Sequence, residues 1–99
     1  MHKYVIEREI SGVGMQSAEE LRAAAQTSND ALSTLAPRVQ WQQSFVTGDK
    51  VYCVYIADDE GAIHEHAELS GFPANRVSRV AAVLDPASAV DLISRTHPR

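Results

Sequence analysis

The architecture turns on the stretch VQWQQSFVTGDKVYCVYIA, residues 39–57. Val39 to Thr47 reads as a strand with Val39, Trp41 and Phe45 on one face, and Gly48-Asp49 makes a short turn. Val51 to Ile56 follows as a second strand, dense in β-branched and aromatic residues. A turn this short forces the two strands to pair antiparallel, so the middle of the chain is a hairpin.

Upstream of the hairpin, Lys3 to Ile10 alternates, with Tyr4, Ile6 and Ile10 on one side and Glu7 and Glu9 on the other. That period belongs to a half-buried strand. After Gly12 and Gly14, Ser17-Ala18-Glu19-Glu20 has the spacing of a capping box. Leu21, Ala24, Ala25, Ser28, Leu32 and Leu35 continue at helical spacing until Pro37 stops the helix. Downstream of the hairpin, Asp58 or Asp59 caps a second helix that ends near Ser70 at Gly71, a natural left-handed position. Arg76 to Leu84 reads as the last strand. Asp85-Pro86 opens a short C-terminal helix, over about 86–95, in which Val90, Leu92 and Ile93 dock on the domain.

The order β-α-β-β-α-β with a tail helix predicts an α+β, ferredoxin-like domain: a four-stranded antiparallel sheet with two helices on one face. In the second hairpin strand, Tyr52, Val54 and Ile56 alternate with Val51, Cys53 and Tyr55, so both faces of the strand are apolar. The face without helices then needs a cover as well, and a second copy of the chain is the simplest one. A homodimer is expected.

Ninety-nine residues close one hydrophobic core, so residues 1–99 are expected to form a single domain with its core over about 3–87. No apolar run approaches the roughly 20 residues of a membrane span, and the N-terminus lacks the roughly 7 to 15 apolar residues of a secretory signal. Cys53, the one cysteine, has no internal disulfide partner, and the cytoplasm is the expected location. Thirteen acidic against nine basic residues give a net charge of -4, a field that repels phosphate backbones, so nucleic acid is not an expected partner.

The chemistry-bearing segment is Glu60 to Ser70, which contains His64-Glu65-His66. Helical residues advance by about 100° each, which sets the two histidines about 200° apart and prevents one ion from sharing both within the helix. Ile63, His66, Ala67 and Ser70 follow the apolar stripe, so His66 points at the sheet. It is either a core histidine with one hydrogen bond or a ligand or proton carrier on the wall of a helix-sheet cleft. His64 stands in a row with Glu60 and Glu68 on the outer face. That row is either a solvated surface with weak charge pairs or an open N/O site for a divalent cation, finished by water or a neighbouring molecule.

Other features are quieter. Gly12-Val13-Gly14 lacks the third glycine and the lysine of phosphate-binding loops and reads as a strand-to-helix connection. Cys53 has no basic neighbour in sequence to activate its thiol and reads as a small core residue. Glu7 and Glu9 share a strand face and either pair with Arg79 across the sheet, which is the expectation, or serve as oxygen ligands at a dimer surface. His2 and His97 lie near the termini.

Three segments, KYVIERE (3–9), VQWQQSFVTGDKVYCVYIA (39–57) and GFPANRVSRVAAVLDP (71–86), match in order and spacing a bacterial family of small proteins of unknown function. The chain resembles that family over about residues 3–87, with the tail from Ala89 outside the match. The resemblance implies a dimeric ferredoxin-like protein for which nickel binding has been proposed. Members commonly carry Glu-His-Ala where this chain has Glu65-His66-Ala67, so the resemblance points first to His66; at the position of His64 they often carry another residue.

The resulting expectation is a dimeric divalent-metal-binding protein, nickel being the implied metal, that buffers or sequesters it through His66 and His64 with Glu60 and Glu68 as oxygen partners. The alternatives are a small-molecule-binding protein or cofactor-independent enzyme with His66 facing Tyr52 or Tyr55 in a cleft, and a plain dimeric interaction module. No nucleophile or cofactor motif selects a reaction, so a binding role comes before an enzymatic one.

Overall fold

The structure, a computed structural model, describes residues 1–89. Its elements are β1 (His2–Glu9), a 3-10 turn (Val13–Met15), α1 (Ala18–Leu35), β2 (Val39–Val46), β3 (Lys50–Ala57), α2 (Glu60–Ser70) and β4 (Arg76–Arg79). The strands form one antiparallel sheet in the order β2-β3-β1-β4, with both helices against one face, the ferredoxin-like plan.

The caps form as the sequence predicts. Ser17 accepts from the Glu20 amide while the Glu20 carboxylate accepts from the Ser17 amide, closing the capping box of α1. The Asp59 carboxylate accepts from the Ala62 amide at the start of α2, and Gly71 ends that helix at φ 77°. A helical turn at 86–89 begins after Asp85, whose side chain caps the Ser88 amide. The predicted docking residues Val90, Leu92 and Ile93 lie outside the described residues.

Between sheet and helices, the core gathers Tyr4 and Ile6 of β1, Val39 of β2, Val51, Cys53, Tyr55 and Ala57 of β3, Leu35 of α1, and Ala62 and Ile63 of α2. Cys53 is a buried free thiol, in keeping with its reading as a core residue. Val13, between the two glycines, plugs one end of this core. Its turn is held by the Gly14 amide donating to the Gly48 carbonyl at 2.9 Å.

Three expectations are corrected. Phe45 does not share a face with Val39 and Trp41, because a bulge between Trp41 and Gln43 adds a residue to β2 and inverts the alternation beyond it. Ser44 and Val46 therefore face the helices, opposite Cys53 and Val51, while Phe45 lies on the open face opposite Tyr52. The last strand ends at Arg79, not Leu84: Val80 still donates to the Lys3 carbonyl, but β1 begins at His2 and residues further along meet no partner strand among the described residues. Finally, Arg79 is not the partner of Glu7. The register sets Arg76 opposite Glu7 and Arg79 opposite Tyr4, so Glu7 pairs with Lys50 at 3.6 Å and Arg76 at 4.0 Å, and Arg79 meets the His2 ring at 2.8 Å.

Candidate functional site

His64, Glu65 and His66 leave α2 in three directions. His64 is exposed, and its Nε2 lies 3.2 Å from the Glu60 carboxylate one turn earlier. Glu65 accepts from both terminal nitrogens of Arg38, at 3.2 and 3.3 Å, tying α2 to the start of β2. His66 is 1% exposed, with Nε2 3.2 Å from Ser28 Oγ on α1 and its ring 5.1 Å, centroid to centroid, from Tyr55 on β3. Of the four predicted metal ligands, the structure brings His64 and Glu60 together, turns His66 inward and leaves Glu68 exposed without a hydrogen bond among the described residues. Among those residues, no three His, Cys, Asp or Glu side chains gather closely enough to hold one ion. The His64–Glu60 pair supplies one imidazole and one carboxylate donor, a set that nickel accepts, and water or another chain must complete it.

The second location is a cavity of about 500 Å³ between α1 and the sheet. Ile10, Val13, Leu21, Trp41, Val51 and Phe72 give it mainly apolar walls, and the polar side chains on it are Arg8, Glu9, Gln16, Ser28, Ser44 and Tyr55. This volume lies within the range of small-molecule sites. Tyr52, one of the two tyrosines predicted to face His66, points to the other side of the sheet; Tyr55 is the one beside it.

Ser28 connects the cavity to His66. Its Oγ stands 3.4 Å from Tyr55 Oη and 3.2 Å from His66 Nε2, so one hydroxyl joins the two rings. Burial, and then the positive charge of Arg8, push the His66 pKa down, against a smaller opposing pull from the Ser28 backbone. The imidazole is therefore neutral at pH 7, a state in which Nε2 is able to accept a proton from a hydroxyl. Burial pushes the Tyr55 phenol up, keeping it protonated. His66 Nδ1 is buried without a hydrogen-bond partner among the described residues.

No chemistry-bearing motif of the sequence includes Arg8. It is 2% exposed, packed between the rings of Tyr55 and Phe72 at 5.9 and 5.8 Å. Its Nε donates to Cys53 Sγ at 3.3 Å and one terminal nitrogen donates to the Pro73 carbonyl at 2.9 Å, but Nη2 is buried and unpartnered among the described residues. The signal was present: in the row Tyr4, Ile6, Arg8, Ile10, a guanidinium takes a place where the period demands an apolar side chain.

The family described as "Nickel responsive protein SCO4226-like" matches residues 4–80. The chain belongs to this family. Among solved structures, the SCO4226-like chain is similar to that described as "Crystal structure analysis of SCO4226 from Streptomyces coelicolor A3(2)", with a TM-score of 0.70 and 15% identity over 83% of this chain and 99% of that one. The TM-score shows a shared fold. No curated protein matches the chain.

Proposed function

We propose that this SCO4226-like protein binds nickel as a dimer, and that the exposed His64–Glu60 pair is the chain's own contribution to an open site on α2. The 3.2 Å contact between these two donors carries the reading, and membership of a family described as nickel responsive supports it. Glu68, four residues beyond His64, is the next oxygen donor along the same face. His66 faces the interior and does not share an ion with His64. The open face of the sheet carries half-buried Val5, Tyr52, Val54 and Ile56 with exposed Phe45, an apolar surface suited to a second copy.

Isothermal titration of the metal-stripped protein with nickel, beside His64→Ala, Glu60→Gln and His66→Ala, tests the site. Loss of at least about tenfold in affinity in the first two variants, with His66→Ala like wild type, is the expected result. Equal uptake by all four proteins would sink it.

A second reading is favoured by the cavity: the space between α1 and the sheet takes a small molecule, with neutral His66 exchanging a proton through the Ser28 hydroxyl. A thermal-shift screen in which no compound stabilises wild type more than His66→Ala would remove the acid/base role.

A further inference from the structure

A guanidinium in an apolar interior is costly unless its donors and its charge are met. Arg8 has two of its nitrogens met, by a sulfur and by a carbonyl, neither of which carries a full opposing charge, and Nη2 remains unpartnered among the described residues. Arg8 lines the cavity, and it is held there rather than floating: two aromatic rings flank the guanidinium and the two hydrogen bonds fix its plane. Around it are apolar walls and the hydroxyls of Ser28 and Tyr55. The other charged residue at the cavity is Glu9, which is exposed, with its backbone amide bonded to Asn75.

We propose that the cavity is a binding site for a small, mainly apolar carboxylic acid, whose carboxylate pairs with the Arg8 guanidinium and whose body lies against Val13, Leu21, Trp41 and Val51. The inference rests on reading the cavity as a small-molecule site, but not on proton transfer by His66. A carboxylate fits better than a phosphate for two reasons. A single free nitrogen of one arginine offers little to a dianion, and Glu9 opposes a second negative charge. The apolar walls exclude a small hydrophilic anion, which would lose its hydration with nothing to replace it. Because the rings and hydrogen bonds already immobilise the guanidinium, little ordering is required when the anion arrives.

Trp41, the single tryptophan of the chain, lines the cavity and reports its occupancy. Its fluorescence is followed while octanoate, or the neutral octanamide of the same length, is titrated into wild type, Arg8→Gln and Ala25→Phe, the last of which fills the cavity and keeps the arginine. Wild type is expected to bind octanoate at least about tenfold tighter than octanamide. Arg8→Gln is expected to bind both alike, and Ala25→Phe to bind neither. If wild type binds the two compounds equally, the cavity still takes small molecules but the carboxylate assignment fails. If neither compound binds wild type, both the cavity reading and the assignment fail. Should Arg8→Gln not fold, the wild-type preference for octanoate and its loss in Ala25→Phe carry the test, and octanoate binding retained by a folded Ala25→Phe overturns it.

Discussion

Ser28 Oγ lies 3.2 Å from His66 Nε2, the link by which α1 and α2 meet over the sheet. Both residues are buried, and the same oxygen stands 3.4 Å from the Tyr55 hydroxyl, so one small side chain provides the polar partner of two large ones.

Ser28→Ala removes that shared oxygen and leaves buried His66 Nε2 and the Tyr55 hydroxyl without it. A loss of about 1–3 kcal/mol is expected, the cost of leaving buried polar atoms unsatisfied. Urea denaturation of Ser28→Ala, His66→Leu and the double variant measures the coupling; additive losses would mean that the contact contributes nothing of its own.

His66 makes the fold pH-dependent in a definite direction. Its folded pKa is depressed by burial and by Arg8, so the unfolded chain binds a proton more readily, and stability rises with pH. The contribution is fully present above the unfolded value of about 6.5 and is lost as pH falls through the folded one. Denaturation midpoints between roughly pH 5 and 8 should fall more steeply on acidification in wild type than in His66→Leu. Parallel curves would show that the imidazole does not resist protonation in the fold.

Gly14 and Gly48 face each other and differ sharply in tolerance. A Cβ on Gly14 would lie 2.6 Å from the Thr47 carbonyl oxygen and 2.9 Å from Gly48 Cα, both backbone atoms that cannot swing aside. On Gly48 a Cβ meets nothing within 4 Å. Gly14→Ala is expected to cost about 1–3 kcal/mol, as overpacking does, and Gly48→Ala much less. A thermal melt compares them, and equal midpoints would show that the loop relaxes freely.

For the proposed dimer, Val54→Lys puts a charge in the middle of the open sheet face, beside Val5 on the neighbouring strand. Light scattering should give a dimer for wild type and a monomer for the variant, with the circular dichroism of both alike. A wild-type monomer at micromolar concentration would remove the open face as an interface.

Sequence periodicity is enough to locate most of this fold, because each element carries its own local signal. Ser17 and Glu20 close a capping box, Asp59 caps α2, and Gly71 ends it, and all of these interactions run between residues within four positions of each other. The opposed characters of His64 and His66 are legible for the same reason, since a helix fixes the angle between residues two apart. The bulge in β2 was not, because nothing local marks Gln42 as the extra residue and only pairing with β3 reveals it.

Local pattern is enough for the order of elements, their caps, the antiparallel hairpin and the inward face of His66. Packing alone selects which distant residues meet. Ser28 joins His66 across 38 positions, Arg8 reaches Cys53 across 45 and the Pro73 carbonyl across 65, and their meeting fixes the polar groups of the cavity. Periodicity assigns a side chain to a face but says nothing of its partner on the facing element. An arginine in the apolar row of β1 is a conspicuous exception to the pattern, yet its free nitrogen, and with it the carboxylate proposal, exists only once strand, helix and turn have packed around it.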